Sequence, residues 1–205
     1  MSRASERVAI AVLAKAPLPG IAKTRLIAAL SADGAAALQA RLIERTVATA
    51  QAAALGPVTL WCTPDESHPL FLEMLQKFGV LLARQPDGDL GARMHMAVAA
   101  ANGRALIIGT DCPALTASHL HEAADALRDH DAVLIPAEDG GYVLIGLCRP
   151  SEALFSDTEW GVATVLDETR KRLRSLGLTW RELAPLWDVD TPADFARLQR
   201  ERLID

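Results

Sequence analysis

The apolar run Ala105–Ile108 constrains the fold more than any other stretch of this chain. A short run without a polar residue is typical of a strand that is covered on both faces, as in a parallel sheet between helices. Pro113 cannot extend a strand, so the chain must turn near it. Asp111 therefore lies at the carboxyl end of a buried strand, where open α/β sheets bind ligands. The simpler interpretation is that Asp111 only caps a turn.

Strand-like and helix-like segments alternate along the rest of the chain. Besides 105–108, the predicted strands are residues 8–14, 58–63, 80–83, 132–136, 142–147 and 178–183. The predicted helices are residues 31–54, 69–78, 91–101 and 162–176, with two more beginning at the N-caps Thr116 and Thr191. This alternation predicts an α/β fold, one domain over residues 1–205, built as a three-layer α/β/α sandwich with a mixed, mostly parallel sheet.

Charge and composition exclude several classes of partner and location. The net charge of −5 includes no block of like charges, so we expect neither nucleic acid nor an anionic membrane as a partner. No stretch approaches the length that spans a bilayer. Cys62, Cys112 and Cys148 form no Cys-x-x-Cys pair, which favours reduced thiols in a cytoplasmic protein.

A basic loop follows the first predicted strand. Lys15, Lys23 and Arg25 are gathered in it, and Gly20 shapes the turn between them. Several cations beside free backbone N–H groups suit a di- or triphosphate. The loop is not a P-loop, because Gly20 and Lys23 are not adjacent. The alternative is a solvated basic loop.

Two other turns carry weaker signals. Gln85 ends a strand, and its amide could read a base edge with one donor and one acceptor. Gly91 would let the backbone approach a nucleotide closely. Glu138 and Asp139 precede paired glycines, and one of these carboxylates could act as a base. Taken alone, the stretch from Gln85 to Gly91 is more typical of a turn than of a site, and a simple hairpin turn explains the paired glycines as well as any function does.

Asp188 and Asp190 lie two residues apart, just before the last predicted helix. In an extended segment both side chains point the same way, which suits a hard divalent cation. Acids at a helix N-terminus also stabilise the helix without a metal. Together with Asp111, they favour a divalent metal.

The ordered set of motifs resembles a known bacterial family. The motifs are K-x-P-x-x-G-x-x-K-T-R-L, Q-x-x-x-x-L-G-x-R-M, G-T-D-C-P, E-D-G-G-Y and D-V-D-T-P-A-D, spread over about residues 8–200. Together they resemble the family called radical-SAM/selenodomain-associated transferase 1. That family is related to 2-phospholactate guanylyltransferase and belongs to the GT-A, nucleotide-diphospho-sugar transferase superfamily.

The resemblance implies a GT-A fold, a nucleotide donor and Mg²⁺ or Mn²⁺ as cofactor. We expect glycosyl transfer from a nucleotide sugar to a small-molecule acceptor. Nucleotidyl transfer from an NTP to a phosphorylated small molecule is the alternative, and a non-catalytic nucleotide-binding protein is a third. The predicted site residues are Asp111, Asp139, Lys23 and Arg25 for catalysis, Lys15, Gly20, Lys23, Arg25, Gln85 and Gly91 for the nucleotide, and Asp111, Asp188 and Asp190 for the metal.

Overall fold

The structure is a computed structural model, and it describes residues 7–204. Its strands are β1 Ala9–Lys15, β2 Val58–Thr63, β3 Leu81–Arg84, β4 Ala105–Ile108, β5 Ala132–Pro136, β6 Tyr142–Leu147 and β7 Trp180–Glu182. Its helices are α1 Ile27–Ala52, α2 Pro69–Phe78, α3 Leu90–Ala100, α4 Ala117–Ala126, α5 Val165–Ser175 and α6 Pro192–Glu201, with 3₁₀ turns at Thr24–Leu26 and Glu152–Leu154. Within residues 7–204 the strands form one sheet in the order β3-β2-β1-β4-β6-β5-β7.

The predicted three-layer sandwich is confirmed. Strand β6 runs antiparallel to β4 and β5, and the other neighbouring strands are parallel. Leu106 and Ile108 pack with α1, α2 and α4 on one face, whereas Ala105 and Ile107 pack with α3 and α5 on the other. The unbroken apolar run in β4 is therefore explained by burial on both sides.

Two predicted helix starts are confirmed together with their capping residues. The Thr116 side chain accepts a hydrogen bond from the backbone N–H of His119, and Thr191 does the same for Asp194. In turn, the side chains of His119 and Asp194 accept a hydrogen bond from the backbone N–H of their N-cap residue, which completes a capping box in each helix. Pro192 occupies the first turn of α6, where its missing N–H costs nothing.

Helix α1 differs from the prediction in its start and its length. It begins at Ile27 rather than at residue 31, and Ser31 interrupts it with a φ of 66°. By length and composition alone, 24–52 could cross a membrane, contrary to our expectation that no stretch could. Its inward face, which includes Ile43 and Val47, is buried in the core cluster against the sheet. The single domain, the cytoplasmic location and the absence of membrane or nucleic-acid partners stay predictions.

The order of the strands creates a crevice beside β1. The chain passes from β1 to β2 and β3 on one side and then returns to β4 on the other side. Strands β1 and β4 are parallel neighbours, with Val12 opposite Ile108. Connections therefore leave their carboxyl ends in opposite directions, which is the switch point where sheets of this kind bind ligands.

The hairpin between β5 and β6 depends on one of its two glycines. Gly140 has a φ of 93°, and a Cβ there would overlap the carbonyl oxygen of Ala163. The Gly140 carbonyl also accepts a hydrogen bond of 2.9 Å from the backbone N–H of Leu166. Gly141 has an ordinary φ, and its Cβ would lie 3.3 Å from the Asp139 side chain.

We expect Gly140→Ala to lower the free energy of unfolding by at least about 2 kcal/mol, because it combines left-handed backbone with a clash against another backbone segment. The matched control Gly141→Ala should cost clearly less, since only a side chain must move. Urea denaturation of both variants measures the difference. Equal losses in the two variants would contradict this account of the hairpin.

Candidate functional site

A pocket of about 500 Å³ opens at the carboxyl ends of β1 and β4. The structure brings five of the predicted site residues to this pocket: Lys15, Lys23, Arg25, Asp111 and Asp190. They come from the loop after β1, the end of β4 and the segment before α6, so distant parts of the chain meet there. The apolar remainder of the lining includes Leu13, Ile107 and Ile145.

Lys23 lies at the centre of the charged residues. Its Nζ is 2.8 Å from Asp111 Oδ1 and 3.9 Å from Asp190 Oδ1. It also donates a hydrogen bond of 2.6 Å to the backbone carbonyl of Val189. Only 4 % of the Lys23 side chain is exposed, whereas the two carboxylates are nearly half exposed. The ammonium is thus a fixed internal cation, and the carboxylates keep free surface toward the pocket.

The loop after β1 has an unusual backbone that directs Lys23 inward. Lys23 adopts the left-handed region, with φ 48° and ψ 46°, which costs a non-glycine residue about 1–2 kcal/mol. Gly20 takes a φ of 78° earlier in the same loop, where glycine pays no steric penalty. The following residues form a 3₁₀ turn that carries Arg25, whose guanidinium pairs with Asp190 Oδ2 at 2.5 Å. Gly20 itself does not line the pocket.

The segment before α6 is anchored against the end of β4. The Val189 N–H donates to the Asp111 carbonyl at 2.8 Å, and Val189 and Trp187 are buried against α1. Asp194 Oδ2 accepts from the backbone N–H of Asp190 and from Thr191. The capping box of α6 therefore also holds the backbone of Asp190 in place.

Asp188 lies in a strongly acidic environment beside these residues. Burial, and then the carboxylates of Asp111 and Asp139, raise the pKa of Asp188 to about 7. A carboxyl group shifted in this way repels its neighbours when ionised, and a bound cation relieves that repulsion. The oxygen donors are those that Mg²⁺ and Mn²⁺ prefer. Within residues 7–204, however, no three His, Cys, Asp or Glu side chains stand in a ready-made metal cluster.

Gln85 does not lie in the pocket, contrary to its predicted role. Its side chain is buried, and its Nε2 donates to the carbonyls of Ala14 and Trp61 at 3.0 and 2.8 Å. Its Oε1 accepts a hydrogen bond of 3.3 Å from Arg93. These contacts tie the ends of β1 and β2 together, because they satisfy two backbone carbonyls there. They leave Gln85 no free amide hydrogen for a base.

Gly91 also serves the packing of the chain rather than the approach of a nucleotide. A Cβ at this position would lie 2.8 Å from the carbonyl oxygen of Phe155 and 3.0 Å from the Trp160 ring. The Trp160 indole donates to Asp89, the N-cap of α3, at 3.3 Å. The start of α3 is therefore packed tightly against the segment before α5.

Asp139 lines a second, smaller pocket of about 320 Å³. This pocket is formed by the β5–β6 hairpin and by Trp160 and its neighbours, and it shares Arg25 and Tyr142 with the larger one. Asp139 Oδ1 accepts a hydrogen bond of 3.0 Å from the N–H of Gly141. The structure thus places Asp139 beside the charged residues rather than among them.

A buried polar pair on the pocket wall was not predicted from the sequence. Gln39 of α1 donates a hydrogen bond of 2.9 Å to Thr110 Oγ1, and both residues are buried. Thr110 directly precedes Asp111, so the pair fixes the end of β4 against α1. A signal was available, because Gln39 interrupts the apolar face of α1 that includes Leu38, Leu42 and Ile43.

Cys112 adjoins Asp111 but has the character of a structural thiol. It is buried, and burial followed by the charge of Asp188 raises its pKa to about 12. A thiol held in its neutral form is a poor nucleophile. Cys112 is therefore part of the core, where it packs in the same cluster as Leu115.

Comparisons at the level of sequence connect the chain to bacterial proteins. Residues 46–162, more than half of the chain, match a family described as uncharacterized proteins conserved in bacteria, DUF2064. A phosphoenolpyruvate guanylyltransferase from Mycobacterium leprae (strain Br4923) is 31 % identical over 170 residues. That match covers 78 % of this chain and 74 % of the relative.

Comparisons of structure connect the fold to transferases. A Desulfovibrio desulfuricans G20 protein, provisionally named a nucleotide-diphospho-sugar transferase, is 28 % identical with a TM-score of 0.86, covering 95 % of this chain and 87 % of that one. The 4-diphosphocytidyl-2C-methyl-D-erythritol synthase of Anaerococcus prevotii DSM 20548 shares the fold at 11 % identity and a TM-score of 0.66. That match covers 99 % of this chain and 100 % of the synthase. Rv0371c of Mycobacterium tuberculosis H37Rv, solved in complex with manganese, shares the fold at 17 % identity and a TM-score of 0.56. That match covers 95 % of this chain and 98 % of Rv0371c.

We expect Lys23→Met to lower the free energy of unfolding by about 1–3 kcal/mol in metal-free buffer, because it removes a buried ammonium that bonds to a carboxylate and a carbonyl. Lys77→Met is the matched control. Lys77 also pairs with a carboxylate, Glu44, but about half of its side chain is exposed, so its loss should cost less than about 1 kcal/mol. Chemical denaturation in EDTA measures both. If Lys77→Met costs as much as Lys23→Met, Lys23 is not the central cation described above.

Proposed function

We propose that this chain, which belongs to the DUF2064 family and is a distant homologue of phosphoenolpyruvate guanylyltransferase, is a metal-dependent nucleotidyltransferase. It joins an NTP to a phosphorylated small molecule and releases pyrophosphate. The homology favours GTP as the donor. The observation that carries the proposal is the meeting of Lys15, Lys23 and Arg25 with Asp111 and Asp190 in one pocket at the switch point of the sheet.

This proposal reverses the order of the two reactions that sequence analysis suggested. Glycosyl transfer stood first there, and nucleotidyl transfer was the alternative. The curated relative at 31 % identity transfers a guanylyl group, and a nucleotidyltransferase-type fold recurs among the structural neighbours. Glycosyl transfer remains the second candidate, because the neighbour with the TM-score of 0.86 carries a sugar-transferase name.

The bond changes of nucleotidyl transfer suit the charges in the pocket. An oxygen of the acceptor phosphate attacks the α-phosphorus of the NTP, a new phosphorus–oxygen bond forms, and the bond to the departing pyrophosphate breaks. An acceptor phosphate is already anionic and needs no strong base. Asp139 therefore has no proton to remove in this reaction.

The cations of the basic loop bind and stabilise the triphosphate. Arg25 is largely exposed at the mouth of the pocket, where its guanidinium can contact phosphate oxygens. Lys15 lines the same wall. Lys23 is held by Asp111 and Val189, so its charge is already positioned before the substrate binds. Positioning and charge stabilisation account for most catalysis of phosphoryl chemistry.

The carboxylates of Asp111, Asp188 and Asp190 are the residues that would hold Mg²⁺ or Mn²⁺. Their oxygen donors and mutual repulsion fit a divalent cation, and the related fold of Rv0371c has been solved with manganese. When bound, such an ion neutralises charge on the phosphates and on the leaving pyrophosphate. Lys23 and Arg25 supply two positive charges to these three carboxylates, which leaves one negative charge for a cation to balance.

The two adjoining pockets suit the two substrates. The larger one, of about 500 Å³, contains the charged residues and accommodates the nucleotide. The smaller one, of about 320 Å³, accommodates a small phosphorylated acceptor. Arg25 borders both and can contact phosphate groups of either substrate, which brings the attacking oxygen toward the α-phosphorus.

The proposal is tested by pyrophosphate release. Purified protein is incubated with each NTP, with phosphoenolpyruvate and other phosphorylated acids, and with Mg²⁺, Mn²⁺ or EDTA. We expect pyrophosphate release that requires NTP, acceptor and metal together, with the joined product identified by mass spectrometry. Asp111→Asn should lower the rate by at least about a hundredfold, because it weakens both the metal site and the Lys23 contact.

Asp33→Asn is the control for this loss, since Asp33 is an exposed carboxylate of α1 that does not line the pocket. It should leave the rate unchanged. Metal-dependent release of a nucleoside diphosphate from UDP- or GDP-sugars, without pyrophosphate from any NTP, would instead establish glycosyl transfer. Nucleotide binding without any turnover and indifferent to Asp111→Asn would leave a non-catalytic binding protein.

A further inference from the structure

A second charged pocket lies at the opposite edge of the sheet. Strands β1, β4 and β5 begin at this edge, and the antiparallel strand β6 ends there. Residues just outside these strand ends therefore converge on it. They line a pocket of about 600 Å³, which we call the amino-edge pocket.

Arginines dominate the lining of this pocket. Arg7 precedes β1, Arg104 precedes β4, Arg128 follows α4 and Arg149 follows β6. Among the described residues that line the pocket, the acidic ones are Asp129 and Asp131, and Arg104 already has an interaction of its own. The whole chain carries a net charge of −5, so a pocket with excess positive charge stands out from its surroundings.

One of the two aspartates is already occupied by a partner. Asp131 Oδ2 accepts hydrogen bonds from the N–H and the hydroxyl of Thr179, at 2.9 and 2.8 Å. These bonds lower the pKa of Asp131, and the nearby charge of Arg149 lowers it further. Arg128 pairs with Asp125 at 3.3 Å, but both side chains are mostly exposed and the pair is weak. Arg7 and Arg149 are exposed at the rim.

The floor of the pocket is tied to the core. The Ala9 N–H bonds to the Arg104 carbonyl at 3.0 Å, and the Cys148 N–H bonds to the Asp131 carbonyl at 3.0 Å. The Cys148 Sγ lies 3.3 Å from the carbonyl oxygens of both Leu127 and His130, which share its one S–H donor. The arginines thus project from backbone that is fixed by the sheet and by the end of α4.

We propose that the amino-edge pocket is a second binding site, and that it takes a di- or triphosphate anion. Guanidinium groups present paired N–H donors that match phosphate oxygens, and several of them together suit a multiply charged anion. A concave volume of about 600 Å³ accommodates a small molecule. The site is separate from the catalytic candidate, which lies at the other ends of β1 and β4, and it does not depend on the proposed function.

The test is a titration followed by amide NMR of the full chain in EDTA. Pyrophosphate and GTP are the two probes, because the diphosphate group can come from free pyrophosphate or from a nucleotide. We expect shifts at the amides of Gly103, His130 and Arg149, and separately of Lys23 and Asp111 if the catalytic pocket also binds. We call the amides of Gly103, His130 and Arg149 the first group. If pyrophosphate shifts them, the free anion is a ligand of the amino-edge pocket; if only GTP shifts them, the ligand is a nucleotide.

The double variant Arg7→Ala/Arg149→Ala should weaken the binding reported by the first group by at least about tenfold, because it removes two charge-assisted contacts. Arg41→Ala/Arg200→Ala removes the same charge from exposed helix positions elsewhere and should change nothing. The proposal is overturned if neither probe shifts the first group, or if the control variant weakens binding as much as the arginine variant. Signals at Lys23 and Asp111 report the catalytic pocket independently, so failure of one site is distinguishable from failure of the other.

Discussion

The contact of Lys23 with Asp111 and Val189 connects the three parts of the chain that make the candidate site. Lys23 belongs to the loop after β1, Asp111 follows β4, and Val189 precedes α6. The Val189 N–H also donates a hydrogen bond to the Asp111 carbonyl. The end of β4 and the segment before α6 are therefore joined both directly and through Lys23. A buried ammonium must be paired with acceptors, and here that requirement fixes the relative positions of the basic loop and the acidic segment.

The rest of the site is arranged around this contact. The α6 capping box holds the backbone N–H of Asp190, and Arg25 and Lys23 contact its carboxylate. Thr110 is held by Gln39, which fixes the end of β4 from the side of α1. Positive and negative charges thus lie side by side at the end of an apolar sheet. That arrangement suits a ligand which itself combines anionic phosphates with a divalent cation.

Local sequence patterns predicted the framework well. The bounds of β2, α2, β4, β5 and β6 agree with the prediction to the residue, because each segment has one dominant periodicity and clear turn residues at its ends. The caps Thr116 and Thr191 were equally visible, since a capping box lies within four residues. The choice of Asp111 and Asp190 for the site depended on strand ends and on family motifs, and the structure brings both to one pocket.

Long-range contacts explain the positions of Gln85 and Gly91, which do not line the charged pocket. Nothing near Gln85 indicates that its amide must satisfy two carbonyls at the ends of β1 and β2. Gly91 is needed because Phe155 and Trp160, more than sixty residues later, pack against it. Local patterns cannot show which distant segment will approach, so a glycine that admits a nucleotide and one that admits a neighbouring chain segment look alike in sequence.

The anchoring of Asp190 by α6 has a consequence for the order in which the protein acquires its site. A ribosome makes the chain from its N-terminus, and Lys23 and Asp111 emerge well before Val189, Asp190 and Asp194. Until that later segment docks, the Lys23 ammonium lacks its carbonyl acceptor and Asp190 lacks its two cationic partners. A growing chain can therefore assemble the strands of the central sheet while the charged pocket is still incomplete, because the pocket is completed only after the segment before α6 has been synthesised.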